Sequence, residues 1–466
     1  MKCELNPKTQ LKLFCVLTIS MVGLALVYMN LQRNSEFLRM GQPIDAPSPR
    51  IIPPSEPCHW QKAHTALMEK LPPFEEEPRI QSFGKGGGGV YSAYLDTREE
   101  QKRAVRILGA LEEHAEAFCH VIGRYADGRM EMHVVKAQMQ VTHRRRTIRA
   151  TTVRVFTCRG RQLYSFIVSC HIEEYFPIPL RVVLSYERCG DPIATLPVSN
   201  TFTPFPKYNF TVCLHQPLFE ITMDSVPRIL EWIAVNRVFG GDHFVMYSLP
   251  STQMIHDYLQ PLVDTGLLEI HVWGIDVPGN VTEDSHCQKS IINECIYRHM
   301  YTSNRIALLD FDEFPTPHTT ENWSELLSVS PCANSTAAYF RNVYFPLQLT
   351  NKTSNHKLTV LQNTQRVSEA IPCHKHSKLI INPRNILACT THFVFSLVGG
   401  APPTEECCVP ENLGFLHHYR FISNYDHGNS TSGVIPGIKE DSRMWNFSKK
   451  IKENVNAIYQ TIHRNL

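Results

Sequence analysis

The strongest chemical signal in the chain is Asp310-Phe311-Asp312-Glu313-Phe314, directly after the apolar run Arg305-Ile306-Ala307-Leu308-Leu309. Read as one continuous strand, the segment puts Asp310 and Asp312 on the same face, because side chains alternate along a strand. Phe311 then packs into the core and Glu313 faces away as a structural residue. Two carboxylates at the carboxyl end of a strand form a hard-oxygen site for Mn²⁺ or Mg²⁺. Such ions need few protein ligands when a diphosphate supplies the others. A divalent charge beside a leaving phosphate is what cleavage of a sugar nucleotide requires. A bare Asp-x-Asp is common in turns, so the pair gains meaning only from the elements that position it.

Those elements alternate between strand and helix from about Thr201 onward. Phe210–Leu214 and His243–Tyr247 read as buried strands, and Leu267–Val272 and Arg305–Leu309 follow. Between them, Asp224-Ser225 caps a helix that carries Pro227 in its first turn, runs to Asn236 and stops at Gly240-Gly241. Ser251 caps a second helix ending near Gly266, in which Pro261 predicts a break. Gln288 to Tyr301 is a third, with Ile291, Ile292, Cys295, Ile296 and His299 on one stripe. This alternation predicts an α/β domain with a largely parallel sheet covered on both faces, whose ligands bind off the carboxyl ends of the strands.

Residues 80–200 have a different texture. Val90–Leu95, Met132–Val135, Thr152–Phe156 and Ser165–Val168 are strand-like, separated by turn residues such as Asp127-Gly128. The run Gly84–Gly89 lacks the order of a phosphate-binding loop and reads as an ordinary loop. His143–Arg146 reads as a solvated basic edge.

With 466 residues, 43% hydrophobic and 19% charged, the chain is long enough for two domains and too apolar for wholesale disorder. Its net charge of +2 gives no electrostatic reason to bind nucleic acid. Leu13–Met29 is free of charge and follows Lys2, Lys8 and Lys12, which predicts a retained membrane anchor with the body of the chain luminal. The run ends without the small-x-small site of a cleaved signal. Dense proline between Pro43 and Pro78 marks a stem. The expected organisation is a cytoplasmic tail 1–12, an anchor 13–31, a stem 32–79, a β-rich domain 80–200 and an α/β domain 201–466. Seven glycosylation sequons, at Asn209, Asn280, Asn322, Asn334, Asn351, Asn429 and Asn446, agree with a luminal body. So do 15 cysteines, of which all but Cys3 and Cys15 follow the anchor. Cys407 and Cys408 are expected to bond elsewhere than to each other. Cys58-His59 and Cys373-His374-Lys375-His376 fit no standard zinc spacing, so disulfides are the expectation there too.

The chain resembles glycosyltransferase family 92. The residues that carry the resemblance include Val212-Cys213-Leu214, Glu231-Trp232-Ile233 with Asn236, and Gly241 to Tyr247. They continue through Gly266-Leu267-Leu268-Glu269, Trp273, Asn293-Glu294-Cys295, Arg298 and Ala307 to Phe314. Lys378 to Ile381, His392-Phe393-Val394 and His418-Tyr419-Arg420 extend it, and Tyr91 to Tyr94 resembles the family's N-terminal portion. The resemblance implies a GT-A type fold, a Golgi type II membrane protein, a UDP-galactose donor, Mn²⁺, and transfer of β-linked galactose to core fucose or terminal galactose of N-glycans. A C-terminal histidine often completes such a metal site, with His392 the first candidate and His418 the alternate. Lys378 is placed to neutralise the diphosphate as a point charge, and Arg420 to contact donor or acceptor. Inversion needs a carboxylate base, for which Glu405, Glu406, Glu411 and Asp426 are candidates.

Three rival readings remain open on sequence. Another UDP-sugar would use an identical metal site. A lectin-like ectodomain would draw on the β-rich block, and the intact Asp310/Asp312 pair speaks against it. A glycoside hydrolase would use two carboxylates without a metal.

Overall fold

In residues 80–200 the strand pattern produces two antiparallel sheets. The structure, a computed structural model, describes residues 80–83, 88–111, 116–141, 164–200, 205–215, 218, 222–249, 252–273, 288–350, 356–400, 406–422 and 437–464. The anchor and stem, the runs 84–87, 143–146 and 152–156, sequons Asn280, Asn351 and Asn429, and the base candidates Glu405 and Asp426 lie outside them. Among the described residues, no helix is long and apolar enough to cross a membrane. All of them belong to one compact unit, His59–Leu466.

The first sheet holds Gln81–Ser82 (β1), Gly89–Asp96 (β2), Arg103–Leu111 (β3), Gln138–Val141 (β6) and Tyr164–Ile172 (β7). The second holds Phe118–Arg124 (β4), Met130–Lys136 (β5), Ile178–Ser185 (β8) and Ala194–Pro197 (β9). Val90, Val105 and Ile107 of the first meet Val121, Val182 and Leu184 of the second in one apolar layer, and the Cys119–Cys170 disulfide joins the two sheets.

The second region is built on Tyr208–Leu214 (β10), His243–Ser248 (β11), Leu268–Val272 (β12) and Ser303–Leu309 (β13). These four strands pair in parallel, in the order β12-β11-β10-β13. After β13 come Glu313–Pro317 (β14), Ala337–Phe340 (β15), Asn342–Pro346 (β16), Gln365–Val367 (β17) and Lys378–Ile381 (β18). The sheet is parallel only in part, since β18 runs antiparallel to both β13 and β15.

Alternation along the buried strands sorts the core. Val212, Phe244, Met246, Ala307 and Leu309 face one layer, with helices Val226–Val238 (α1) and Gln253–Asp264 (α2). Cys213, Val245, Tyr247, Ile306 and Leu308 face the other, with helix Gln288–His299 (α3) and with Tyr91 and Ala110 of the β-rich region. The sheet is therefore covered on both faces, partly by the β-rich region itself. Trp323–Val329 (α4) is capped by Asn322, whose Oδ1 accepts from Glu325 N. The C-terminal helix Ser448–Arg464 (α5) lays Ile451, Val455, Ile458 and Ile462 into the first layer, a 3.6-residue repeat.

Pro261 does not break α2. The carbonyl that it leaves without an N–H partner belongs to residue 257, on the exposed side where water can serve it. Cys213–Cys295 ties β10 to α3, and Cys332–Cys407 and Cys373–Cys408 use the adjacent cysteines separately. Cys389 is a buried free thiol. Of the described sequons, Asn209, Asn334 and Asn446 are exposed and Asn322 is partly buried at its cap.

Candidate active site

The strand does not continue through the acidic segment. It ends at Leu309, Asp310 to Asp312 form a turn closed by Glu313 N donating to Asp310 O (3.2 Å), and β14 starts at Glu313. Strand alternation is therefore not what places Asp310 and Asp312. The turn is held by backbone anchors: Trp232 Nε1 of α1 donates to Asp310 O (2.9 Å), and Tyr419 N donates to Asp312 O (2.9 Å). Phe311 is half-buried against the first core layer, under the Arg228 guanidinium. Asp310 and Asp312 keep about a fifth of their side chains exposed, 21% and 19%, which leaves both within reach of a ligand.

Glu313 is structural and lies at the centre of the site. It is buried, its Oε2 accepts from Asp310 N (3.0 Å), and it lies between Lys378 Nζ (3.3 Å) and His418 Nδ1 (3.4 Å). Lys378 opens the antiparallel strand β18 at the same edge. Its buried ammonium donates to Asp310 Oδ2 (2.8 Å) and to His215 Nε2 (3.1 Å). His418, on the strand Gly414–Arg420, pairs in register with Glu313 and stands 3.4 Å from Asp312 Oδ2. Asn342 bridges His418 Nδ1 (3.0 Å) and the His376 carbonyl (3.1 Å).

Burial acts to raise the Asp310 carboxyl, but Lys378 and then His215 outweigh it and hold it far below the usual range. Burial likewise opposes the Lys378 ammonium, and Asp310 and Glu313 overcome it and raise its pKa. Glu313 goes the other way: burial pushes it up to about 7 against the pull of Lys378. His418 is raised against burial by Asp312 and Glu313, while burial lowers His215 and His392 to about 3. The turn thus carries an ionised Asp310 beside a fixed ammonium.

Sequence reading missed His215. It directly follows β10, and the parallel register Leu214↔Leu309 sets it next to Asp310. A polar residue just past a buried strand was the available signal. His392 lies close to the cluster, within electrostatic reach of Lys378 and Asp310, and its Nδ1 faces the Ser377 carbonyl at 3.0 Å, which leaves Nε2 as the nitrogen a ligand could use. Arg420, two residues past His418 at the end of that strand, lies near the Tyr344 ring. Among the described residues, Asp310, Asp312 and His392 do not bring three ligand atoms within 4.8 Å of one another. Glu406 accepts from the Tyr339 hydroxyl and Glu411 pairs with Arg341, so both described base candidates are engaged in other contacts.

Asp310 Oδ1 is buried and makes no hydrogen bond, its contact with His215 Nδ1 being 3.4 Å long. An oxygen left open beside a second, partly exposed carboxylate is a donor set suited to a hard divalent cation whose remaining ligands come from phosphate and water.

Compared with known families, the chain matches Glycosyltransferase family 92 over residues 208–465, more than half its length. The chain belongs to glycosyltransferase family 92. Membership implies a nucleotide-sugar donor and a glycan acceptor, and the matched segment contains every residue of the cluster around Asp310. Among curated proteins the chain is similar to two galactan beta-1,4-galactosyltransferases of Arabidopsis thaliana. One is 30% identical over 95 residues, 19% of this chain and 18% of the relative. The other is 23% identical over 214 residues, 43% of this chain and 39% of the relative. The chain therefore spans less than half the length of these relatives.

Proposed function

We propose that this family 92 glycosyltransferase moves galactose from UDP-galactose to a glycan hydroxyl, in β-linkage, on a GT-A type domain. The observation that carries the reading is the Asp310–Asp312 turn, clamped at the carboxyl edge of a parallel strand beside Lys378 and His215. The galactosyltransferase names of both plant relatives supply the sugar. Asp310 and Asp312, with His392 or His418 as the nitrogen ligand, would hold Mn²⁺ or Mg²⁺. When bound, that ion supplies positive charge to the departing diphosphate. The protein's part is positional. Trp232 and Tyr419 fix the turn, and Lys378 offers a buried ammonium to the same region. Glu313 keeps Lys378 and His418 aligned. In the same reading residues 13–31 anchor the chain in the Golgi membrane, residues 32–79 form a stem, and the body is luminal.

The test is an assay of the purified protein against a panel of UDP-sugars and N-glycan acceptors, with Mn²⁺ and with EDTA. Mn²⁺-dependent turnover of UDP-galactose is the expected result. Turnover of UDP-N-acetylglucosamine alone would overturn the donor. Binding of glycans without turnover of any donor would favour a lectin-like role, and EDTA-resistant hydrolysis would favour a glycosidase.

A further inference from the structure

We propose that this protein carries a zinc site made by His243, Glu269 and His299, at the edge of the sheet opposite the Asp310 turn. His243 opens β11, Glu269 and His271 lie on β12, and His299 ends α3. His243, Glu269 and His299 thus lie at or near the amino-terminal edge of the sheet, whereas Asp310 follows the carboxyl end of β13.

The ligand atoms of His243, Glu269 and His299 all lie within 4.8 Å of one another. His243 Nε2 is 3.0 Å from Glu269 Oε1, and His299 Nε2 is 3.7 Å from Glu269 Oε2. Tetrahedral zinc with bonds of about 2.0–2.1 Å spaces its ligand atoms about 3.3–3.4 Å apart, between those two values.

The second nitrogens are also held as in metal sites. His243 Nδ1 is 3.2 Å from the Gly266 carbonyl, which only accepts, so Nδ1 carries a hydrogen. Its Nε2 then meets Glu269 Oε1 lone pair to lone pair unless a proton or a metal ion lies between them. His299 Nδ1 contacts Thr302 Oγ1 at 3.3 Å, and its Nε2 is buried with no hydrogen-bond partner. His271 Nε2 contacts Glu269 Oε2 at 3.1 Å and orients the carboxylate from outside the ligand set. Tyr208 stacks on the His243 ring at 4.0 Å and fixes its plane.

Two imidazoles and one carboxylate favour Zn²⁺ over the oxygen-preferring Mn²⁺ and Mg²⁺. Glu269 is 36% exposed, so the fourth position opens to water. The ion would pin the end of α3 to β11 and β12. The His243–x25–Glu269–x29–His299 spacing matches no short zinc template, which is why the sequence did not show it.

The test uses the full-length chain purified in detergent. Elemental analysis after dialysis should find one zinc per chain, and cobalt replacement should give the intense visible bands of a tetrahedral site. His243→Ala and His299→Ala should lose both signals, and His271→Ala should bind zinc about 10–100-fold more weakly. Asp310→Asn should keep the zinc, which separates this site from the donor site. Because the cobalt spectrum is read on the wild-type chain, it stands even where a histidine variant fails to fold. A wild-type chain that takes up neither zinc nor tetrahedral cobalt, or zinc retained at full occupancy in both histidine variants, overturns the proposal and leaves a protonated His243–Glu269 pair.

Discussion

Replacing Glu294 by glutamine should destabilise the protein strongly at neutral pH and progressively less on acidification. Glu294 is fully buried on α3. It accepts from the Tyr94 hydroxyl of the β-rich region and the Tyr247 hydroxyl of β11, and it pairs with Arg298 one turn on, Nε to Oε1 at 3.1 Å. Burial acts to raise its carboxyl, and Arg298 outweighs burial and brings it down from 4.5 to about 2. At ~1.4 kcal/mol per pH unit, that drop is worth roughly 3 kcal/mol of stability. The glutamine variant also leaves the Arg298 charge without its partner, so a total loss of about 3–5 kcal/mol is expected at pH 7. For a carboxyl lowered on folding, the stabilisation is present above the unfolded value near 4.5 and is lost as pH falls toward 2. The gap between wild type and variant should therefore narrow by about 2 kcal/mol near pH 3. Urea unfolding of both proteins at pH 7 and pH 3 measures it. A gap below about 1 kcal/mol at pH 7, or one that widens in acid, would refute the coupling of the β-rich region to α3 through this carboxylate.

Three further outcomes follow from the site. Asp310→Ala and Asp312→Ala should each reduce turnover at least about a thousandfold with the fold intact by circular dichroism; more than a tenth of wild-type rate, under ~1.4 kcal/mol, would count against the pair. Trp232→Phe removes the indole donor to Asp310 O and should slow turnover about tenfold, the cost of one buried hydrogen bond, in protein that still folds but has a lowered unfolding midpoint because Trp232 is fully buried in the core; an unchanged rate would show that the turn needs no such clamp. On the proposal that residues 32–79 are a stem, a secreted form beginning near Arg79 should match the full chain in rate; a folded but inactive product would place residues before Arg79 in the site.

Much of the α/β region was legible because buried strands are short apolar runs and α1 and α3 carry apolar residues at helical spacing between turn signals, although Ser225, the expected cap of α1, makes no side-chain cap bond. The acidic turn was found for a sound reason, its position after a buried strand, but its geometry was not: Asp310 to Asp312 leave the strand, and contacts from Trp232 and Tyr419, 78 and 107 residues away in sequence, set it. The sequence marks Lys378 as a phosphate partner; what the structure shows is a counter-ion of Asp310 and Glu313. The antiparallel insertion of β18 was unreadable, since nothing in Lys378–Ile381 distinguishes it from a parallel strand. Helix α5 was readable from Ile451, Val455, Ile458 and Ile462 but was overlooked. The β3, β4 and β8 strands escaped because their alternation is interrupted by glycine and charged residues such as Arg106, Gly123 and Arg181, and β9 because it is only four residues long.

The most direct measurement is the anomeric configuration of the product. Wild-type protein, UDP-galactose, Mn²⁺ and an N-glycan acceptor bearing core fucose or terminal galactose should yield a new galactose whose anomeric proton shows β-coupling by NMR, with no product in EDTA. An α-linked product would contradict inversion, and undiminished product in EDTA would contradict the metal site at Asp310 and Asp312.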